Sequence, residues 1–337
     1  MLSKIFESLY NKVFVNIVVG RSQTTVYVEE CNKKSVLNSH LESFDTINVN
    51  DKMREYIDSF TSESPFHYIS ILDTSSSQGA IPTCSSREMS VFYNLESSKY
   101  MCYKNQWAYY TSKPDLEALQ KNYSKIGVDL IFSPFVILSN FFKDKIDTNL
   151  ALYILVEDNY ITVSVFDNSK LLFGEHIDME HRDDNEELMM DENSEDDIDL
   201  DLESSIDLDD IDAISDIEGL DDFGDIEDLD AIDEIDEFAE SDDEEEFSNE
   251  ESEPASVDTD GFNEDYQRFS LIQSSINHFY KDERYESKFV ENIYVADGVG
   301  VSGDLKRYLE EEMFLNVYVR HVDLCAEVCE IAKAELK

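Results

Sequence analysis

The side chains able to do chemistry stand far apart in this chain, so the first question is whether any spacing gathers them. Cys325 and Cys329 are four apart in a stretch of helical periodicity, on one face, which is the spacing of a metal-ligating pair. No His and no second cysteine pair lies near them, so buried apolar packing is the expected role. His67 opens an apolar run that reads as a buried strand, and His176 ends another; both are expected to be structural. No Ser/His/Asp or Cys/His arrangement offers nucleophilic catalysis. Gly20-Arg21-Ser22 and Asp297-Gly298-Val299-Gly300 are tight-turn segments, and a lone glycine pair serves as a plain turn as readily as an anion cradle. The five cysteines are odd in number and lack framework spacing, which predicts free thiols in a reducing compartment.

Charge divides the chain. From Asp183 to Gln267 there is no Lys, Arg or His, against 41 Asp or Glu in 85 residues. The formal charge of the whole chain is -51, so the remaining residues carry only -10. Carboxylates at that density repel and cannot all be paired on burial, so the segment is expected to be a solvated, disordered arm. Within it, Leu208, Ile211, Ile214, Ile217, Leu220, Phe223, Ile226, Leu229, Ile232, Ile235 and Phe238 recur at every third position. Three residues advance an α-helix by about 300°, so this row would spiral around a helix instead of forming a stripe. A threefold extended helix would align it on one edge. The row therefore reads as an acidic, apolar partner-binding segment that orders on a basic surface; a solubilising bristle has no need of it. No Asp-x-Asp-x-Asp-Gly loop with a distal Glu is present, which argues against a tight calcium site.

Outside the arm about 250 residues remain, enough for two modest domains. No apolar run reaches the roughly 20 residues of a membrane helix. Met1 to Lys12 lacks a secretory signal, so a cytoplasmic location is expected. The net charge argues against direct nucleic-acid binding.

Periodicity predicts the same order of elements twice. The first half, after an amphipathic stretch carrying Leu2, Ile5, Phe6 and Leu9, gives strands at Val13–Val19, Thr24–Glu30 and Ser35–Phe44. A helix at Asp51–Phe60, a strand at His67–Leu72, a helix at Pro114–Ile126, a strand at Val128–Phe132 and a helix at Phe135–Phe142 follow. The stretch from Ser77 to Thr111, with Trp107, Tyr109 and Tyr110, is expected to be a small subdomain on that half. The second half gives strands at Leu150–Val156, Ile161–Phe166 and Leu171–Ile177. After the arm come a helix at Tyr266–Tyr280, a strand at Ile293–Ala296, a helix at Asp304–Met313, a strand at Leu315–Val319 and a helix at Asp323–Lys333.

That doubled order resembles actin-like proteins, in which two ribonuclease-H-like domains face each other across a cleft. The run from Tyr153 to Ile177 resembles the second phosphate hairpin of that superfamily, and Ile293 to Leu309 its glycine-containing adenosine motif. The phrasing is most similar to PilM-like proteins of type IV pilus platforms and to the cytoplasmic part of the type II secretion L protein. The resemblance implies an α/β fold. It implies a first domain over 1–146 with a subdomain at 77–112, and a second over 147–182 plus 265–337, interrupted by the acidic insertion 183–264. It also places a nucleotide cleft at Gly20, Ser22, Glu157, Gly298 and Gly300. The family's Asp-x-Gly pattern reads here as Asn16-Ile17-Val18 and as Glu157-Asp158-Asn159, with the wrong residue at both points of close phosphate approach. Hydrolysis of ATP with magnesium is therefore not expected, and no resident cofactor is expected.

The resemblance implies a non-catalytic scaffold on the inner-membrane face of a pilus-like, secretion or DNA-uptake machine. It would hold the tail of an inner-membrane platform subunit and contact an assembly ATPase through a basic surface, without inserting in the membrane. The alternative is a nucleotide-driven actin-like ATPase or filament former.

Overall fold

The computed structural model describes residues 10–32, 35–179, 259–301 and 303–336, with backbone alone for 259–263. The stretch carrying Leu2 to Leu9 and the apolar row from Leu208 to Phe238 lie outside the described residues.

The first half opens with three antiparallel strands, β1 (Lys12–Val19), β2 (Thr24–Asn32) and β3 (Ser35–Phe44). Helix α1 (Asp51–Thr61) follows, its Asn50 side chain accepting the Met53 amide at 2.8 Å as an N-cap. Strand β4 (His67–Leu72) then pairs parallel to β1. The chain next makes β5 (Gln78–Ile81), a short helix α2 (Ser86–Phe92), β6 (Ser98–Tyr103) and β7 (Trp107–Ser112). Helix α3 (Lys113–Asn122), strand β8 (Leu130–Phe132) and helices α4 (Pro134–Phe141) and α5 (Lys143–Ile146) complete this half.

The second half repeats the opening with β9 (Leu150–Val156), β10 (Tyr160–Asp167) and β11 (Lys170–Asp178), all antiparallel. Helix α6 (Thr259–Lys281) begins seven residues ahead of the expected start at Tyr266 and so takes in the end of the predicted insertion. Strand β12 (Asn292–Asp297), helix α7 (Gly303–Glu311), strand β13 (Asn316–His321) and helix α8 (Leu324–Glu335) close the chain.

The sheets run β3-β2-β1-β4-β8 and, in the second half, β11-β10-β9-β12-β13. Both have two antiparallel pairs followed by two parallel ones, which is the ribonuclease-H-like order. The fold is therefore actin-like: α/β, with the domain doubled.

Two placements differ from the sequence expectation. The subdomain inserted in the first half hydrogen-bonds to the second half's sheet. Strand β5 pairs with β11 through Gly174–Ala80 and Glu175–Gly79, extending that sheet to eight strands ending β5-β7-β6. Pairing chose the partner because β11 was a free edge and Gly174 has no side chain to obstruct it; a Cβ there would sit 2.7 Å from that of Ala80. The last helix, α8, belongs to the second half in sequence but packs on β1, β2 and β4 of the first sheet.

Helices cover each sheet on the outside. Helix α1 buries Met53 and Ile57 against Val15, Ile17, Val26 and Ile71, and α6 and α7 bury Ile272, Phe279 and Leu305 against Ile154 and Val163. Between the sheets lies a shared core built on α4 and α8. Helix α4 reads Pro-Phe-Val-Ile-Leu-Ser with all six residues buried, as a central helix must. Among the described residues no helix is long and apolar enough to cross a membrane.

Candidate functional site

Two places gather polar or accessible groups: the turns at the cleft and a groove between two strand edges. At the cleft, the β9–β10 turn and the β12–α7 loop meet. The Gly298 amide donates to Val156 O at 3.0 Å, and a Cβ on Gly298 would fall 1.6 Å from Glu157 Oε1. A side chain at this position would have to displace the Glu157 carboxyl, which lies against the Gly298 α-carbon. That Oε1 is buried with no hydrogen-bond partner. Burial first, and then Asp158 and Asp297, push the Glu157 carboxyl up to about 8, with Arg268 opposing. Burial thus favours its protonated form.

Asp297 closes the loop that follows. Its Oδ1 accepts the amides of Val299 at 3.1 Å, Gly300 at 2.7 Å and Val301 at 3.0 Å. Gly300 sits at φ +79, the left-handed position this turn needs. The first turn of α7 is also engaged, since Asp265 Oδ2 accepts the Leu305 amide at 3.3 Å. Asp265 in turn holds Arg268 at 2.8 Å, and both are buried. Arg268 also meets Glu264 at 3.1 Å, and Arg21 reaches Glu264 at 3.9 Å from the first hairpin. Backbone amides of this kind are what an anionic ligand would use. Here carboxylates of the chain already hold them.

The structure therefore brings Glu157, Gly298 and Gly300 together. Gly20 and Ser22 lie on the β1–β2 turn, where the Gly20 amide meets Gln23 O at 2.8 Å; Arg21 links that turn to the cluster. Asn16 lies in mid-strand, fully buried. Its amide donates to Tyr27 O at 3.2 Å and its oxygen accepts Ser70 Oγ at 2.6 Å. Sequence reasoning missed Asp265 and Arg268, which fell at the edge of the acidic segment, and Asp297 as the loop's internal acceptor. An Asp directly before Gly-x-Gly was the available signal for the latter.

The other singled-out residues lie outside these turns. His176 is buried, its Nδ1 2.9 Å from Thr162 Oγ1, and burial holds it down to about 3. His67 is exposed at the head of its strand, contrary to the buried placement expected. Cys325 and Cys329 are buried on α8, and Cys329 lies 3.4 Å from Glu29 Oε2. Among the described residues no three His, Cys, Asp or Glu are placed to hold a metal. Cys84 and Cys102 form a disulfide, which corrects the expectation of five free thiols; they are 18 apart in sequence, and the chain returns through α2 and β6 to set Cys102, opposite Ala108 of β7, beside Cys84 just past the end of β5.

The groove lies between β6, the outer strand of the eight-stranded sheet, and β8, the outer strand of the first. It has a volume of about 630 Å³ and is lined by the consecutive residues Lys99 to Tyr103 and Leu130 to Phe132, with Leu116 and Val136. Side chains alternate along a strand, so consecutive lining residues mean that both backbone edges face the groove. Tyr100 and Met101 are exposed, at 46% and 61%. Trp107, by contrast, is core, and Tyr109 is half-buried, its hydroxyl 3.1 Å from the Met101 sulfur.

The doubled fold with self-closed turns defines an actin-like protein of two ribonuclease-H-like halves. By its sequence the chain belongs to the family described as Domain of unknown function (DUF8341), which matches residues 152–337. A second domain of unknown function, DUF8569, matches residues 10–139. A search of curated proteins finds no match. Among solved structures, one similar chain is a protein with actin-like ATPase fold and unknown function from Bacteroides thetaiotaomicron. It is 11% identical, with 94% of this chain and 92% of that chain covered and a TM-score of 0.45. A PilM-PilN type IV pilus biogenesis complex is similar at 7% identity, with 94% of each chain covered and a TM-score of 0.47. MreB5 of Spiroplasma citri bound to ADP is similar at 9% identity over 50% of this chain and 52% of that chain, with a TM-score of 0.27. The fold assignment rests on strand order and sense, not on these scores.

Proposed function

We propose that the protein is a non-catalytic actin-like scaffold that holds other proteins together instead of turning over nucleotide. One observation carries this: Asp297 takes the amides of Val299, Gly300 and Val301 in the β12–α7 loop and Asp265 takes that of Leu305 in α7, while Glu157 fills the space at Gly298. A triphosphate would have to displace carboxylates and face their charge, at a considerable desolvation and repulsion cost. Such residues do not fit the ligand.

The groove between β6 and β8 supplies the alternative use. Two unpaired strand edges about an apolar trough suit an extended peptide, which would pair its backbone to the edges and set side chains among Tyr100, Met101 and Phe132. The resemblance of the hairpin and glycine phrases to PilM-like proteins supports the tail of an inner-membrane platform subunit as that peptide. The setting would be the cytoplasmic side of a pilus-like, type II secretion or DNA-uptake machine. By charge alone, the segment from Leu208 to Phe238 would meet a basic surface, such as that of an assembly ATPase.

Titration calorimetry with ATP and magnesium tests the first part: no heat and no turnover is expected, and tight binding with hydrolysis would install the ATPase or filament reading instead. A photo-crosslinking residue at Met101, used in the native cell, tests the second. It should capture a membrane-protein segment, and the yield should fall with Ile131→Asp.

A further inference from the structure

The wall of this groove carries a bond that nothing in the cleft chemistry uses. Cys102 lies on β6 among the groove-lining residues and is joined to Cys84, in the segment leading to α2. Otherwise β6 is attached mainly through one ladder, to β7. Its Tyr100 and Met101 are exposed. Little of β6 reaches a core: of its six residues only Ser98 is buried, and Tyr103 packs at the margin of the shared core. A strand held by one ladder with so little of it buried frays readily, so the cross-link governs its order. The other three cysteines differ in kind. Cys31, Cys325 and Cys329 are all buried, and burial pushes Cys31 up to about 11 and Cys325 up to about 12, which keeps them as inert thiols.

We propose that Cys84–Cys102 is a reversible redox site whose state sets the rigidity of the β6 wall. The co-reactant is a dithiol reductant. Its first thiolate attacks Cys102 Sγ from the groove, forming a mixed disulfide and breaking the bond to Cys84, whose sulfur leaves as thiolate and takes up a proton. The reductant's second thiol then displaces Cys102, so two cysteines are reduced and the dithiol becomes a disulfide. The released Cys84 finds an acceptor already in place, because its sulfur lies 3.3 Å from the Trp107 carbonyl oxygen. Both states thus have a satisfied position for Cys84, as a switch requires and a purely structural bond does not. The consequence is a groove edge that is fixed when oxidised and adaptable when reduced.

The test uses the full chain and dithiothreitol as the probe, with no partner, so it stands apart from the proposed peptide. Under native conditions Cys84 and Cys102 should become alkylatable together after reduction, while Cys31, Cys325 and Cys329 react only on denaturation. Hydrogen exchange at Lys99–Tyr103 should then accelerate about tenfold or more, with β1 and β9 unchanged, and Cys84→Ser with Cys102→Ser should reproduce the fast exchange without reductant. Reduction only in denaturant, or β6 exchange equal in both states, would overturn the proposal. Global unfolding of the reduced chain, seen as fast exchange in β9 as well, would overturn it too, by making the bond structural.

Discussion

The two sheets share one topology but grip the central helices by opposite chemistry. Asn16 in β1 and Tyr153 in β9 hold equivalent places. Each stands three residues before its strand ends, and each faces a partner on the neighbouring parallel strand, Ser70 in one case and Tyr294 in the other. In the first sheet the inner face sets a polar cluster among its apolar residues, Phe14 and Leu72 among them. Asn16 meets Ser70 and Tyr27, and Glu29 of β2 binds Lys333 of α8 and lies 3.5 and 3.4 Å from the thiols of Cys31 and Cys329. In the second sheet it is aromatic. Tyr153, Tyr294 and Tyr318 stack across β9, β12 and β13 with centroids 5.3 and 5.1 Å apart, and Phe142 and Phe166 pack on Tyr153. A hydrogen-bonded face fixes α8 in direction and register, because each polar group needs its own partner. An aromatic face supplies area and tolerates adjustment.

That contrast can be broken most severely at Tyr153. Tyr153→Ala should cost about 3–5 kcal/mol in urea unfolding, since it empties a fully buried site that no other ring can fill. Lys333→Met comes next. Glu29 is 6% exposed, so losing its cation leaves a buried charge and should cost about 3 kcal/mol. Glu29→Gln added to Lys333→Met should return much of that loss; a purely additive double mutant would refute the polar-grip account. Burial pushes Glu29 up, but hydrogen bonds from Lys333 and the two thiols hold it below the ordinary carboxylate range. Its share of stability is therefore complete above that range and disappears as pH falls through the lowered value.

Glu157 has the reverse sign. Its folded value near 8 lies above the unfolded one, so the folded chain keeps a proton the unfolded chain has lost, and stability should fall as pH rises between them. The wild type should lose about 4 kcal/mol more than Glu157→Gln between pH 5 and 8.5 in matched urea titrations. Parallel pH curves would place this carboxyl in water instead. The smallest effect sharpens the comparison. Tyr153 Oη is buried without a partner, so Tyr153→Phe should change stability by less than about 1 kcal/mol, or raise it, if the second sheet grips by area alone.

Much of the fold was legible, because strand and helix periods are local. The edges of β1 to β4 and β9 to β11 follow the alternation and turn residues closely. The helix start at Thr259 was not legible, because Asp, Gly, Phe, Asn and Glu there resemble the acidic segment before them. The site was half visible. Gly298 and Gly300 marked the loop, but that Asp297 and Glu157 would occupy it depends on two turns meeting across more than a hundred residues.

The sequence by itself determined the doubling and the segregation of acid into one segment, since both are properties of neighbouring residues. Only the tertiary structure decided that β5 would extend the second sheet, that α8 would cross to the first and that Cys84 would meet Cys102. Those outcomes depend on which edges and faces remain unsatisfied once the local elements have formed, and that is a property of the packed whole.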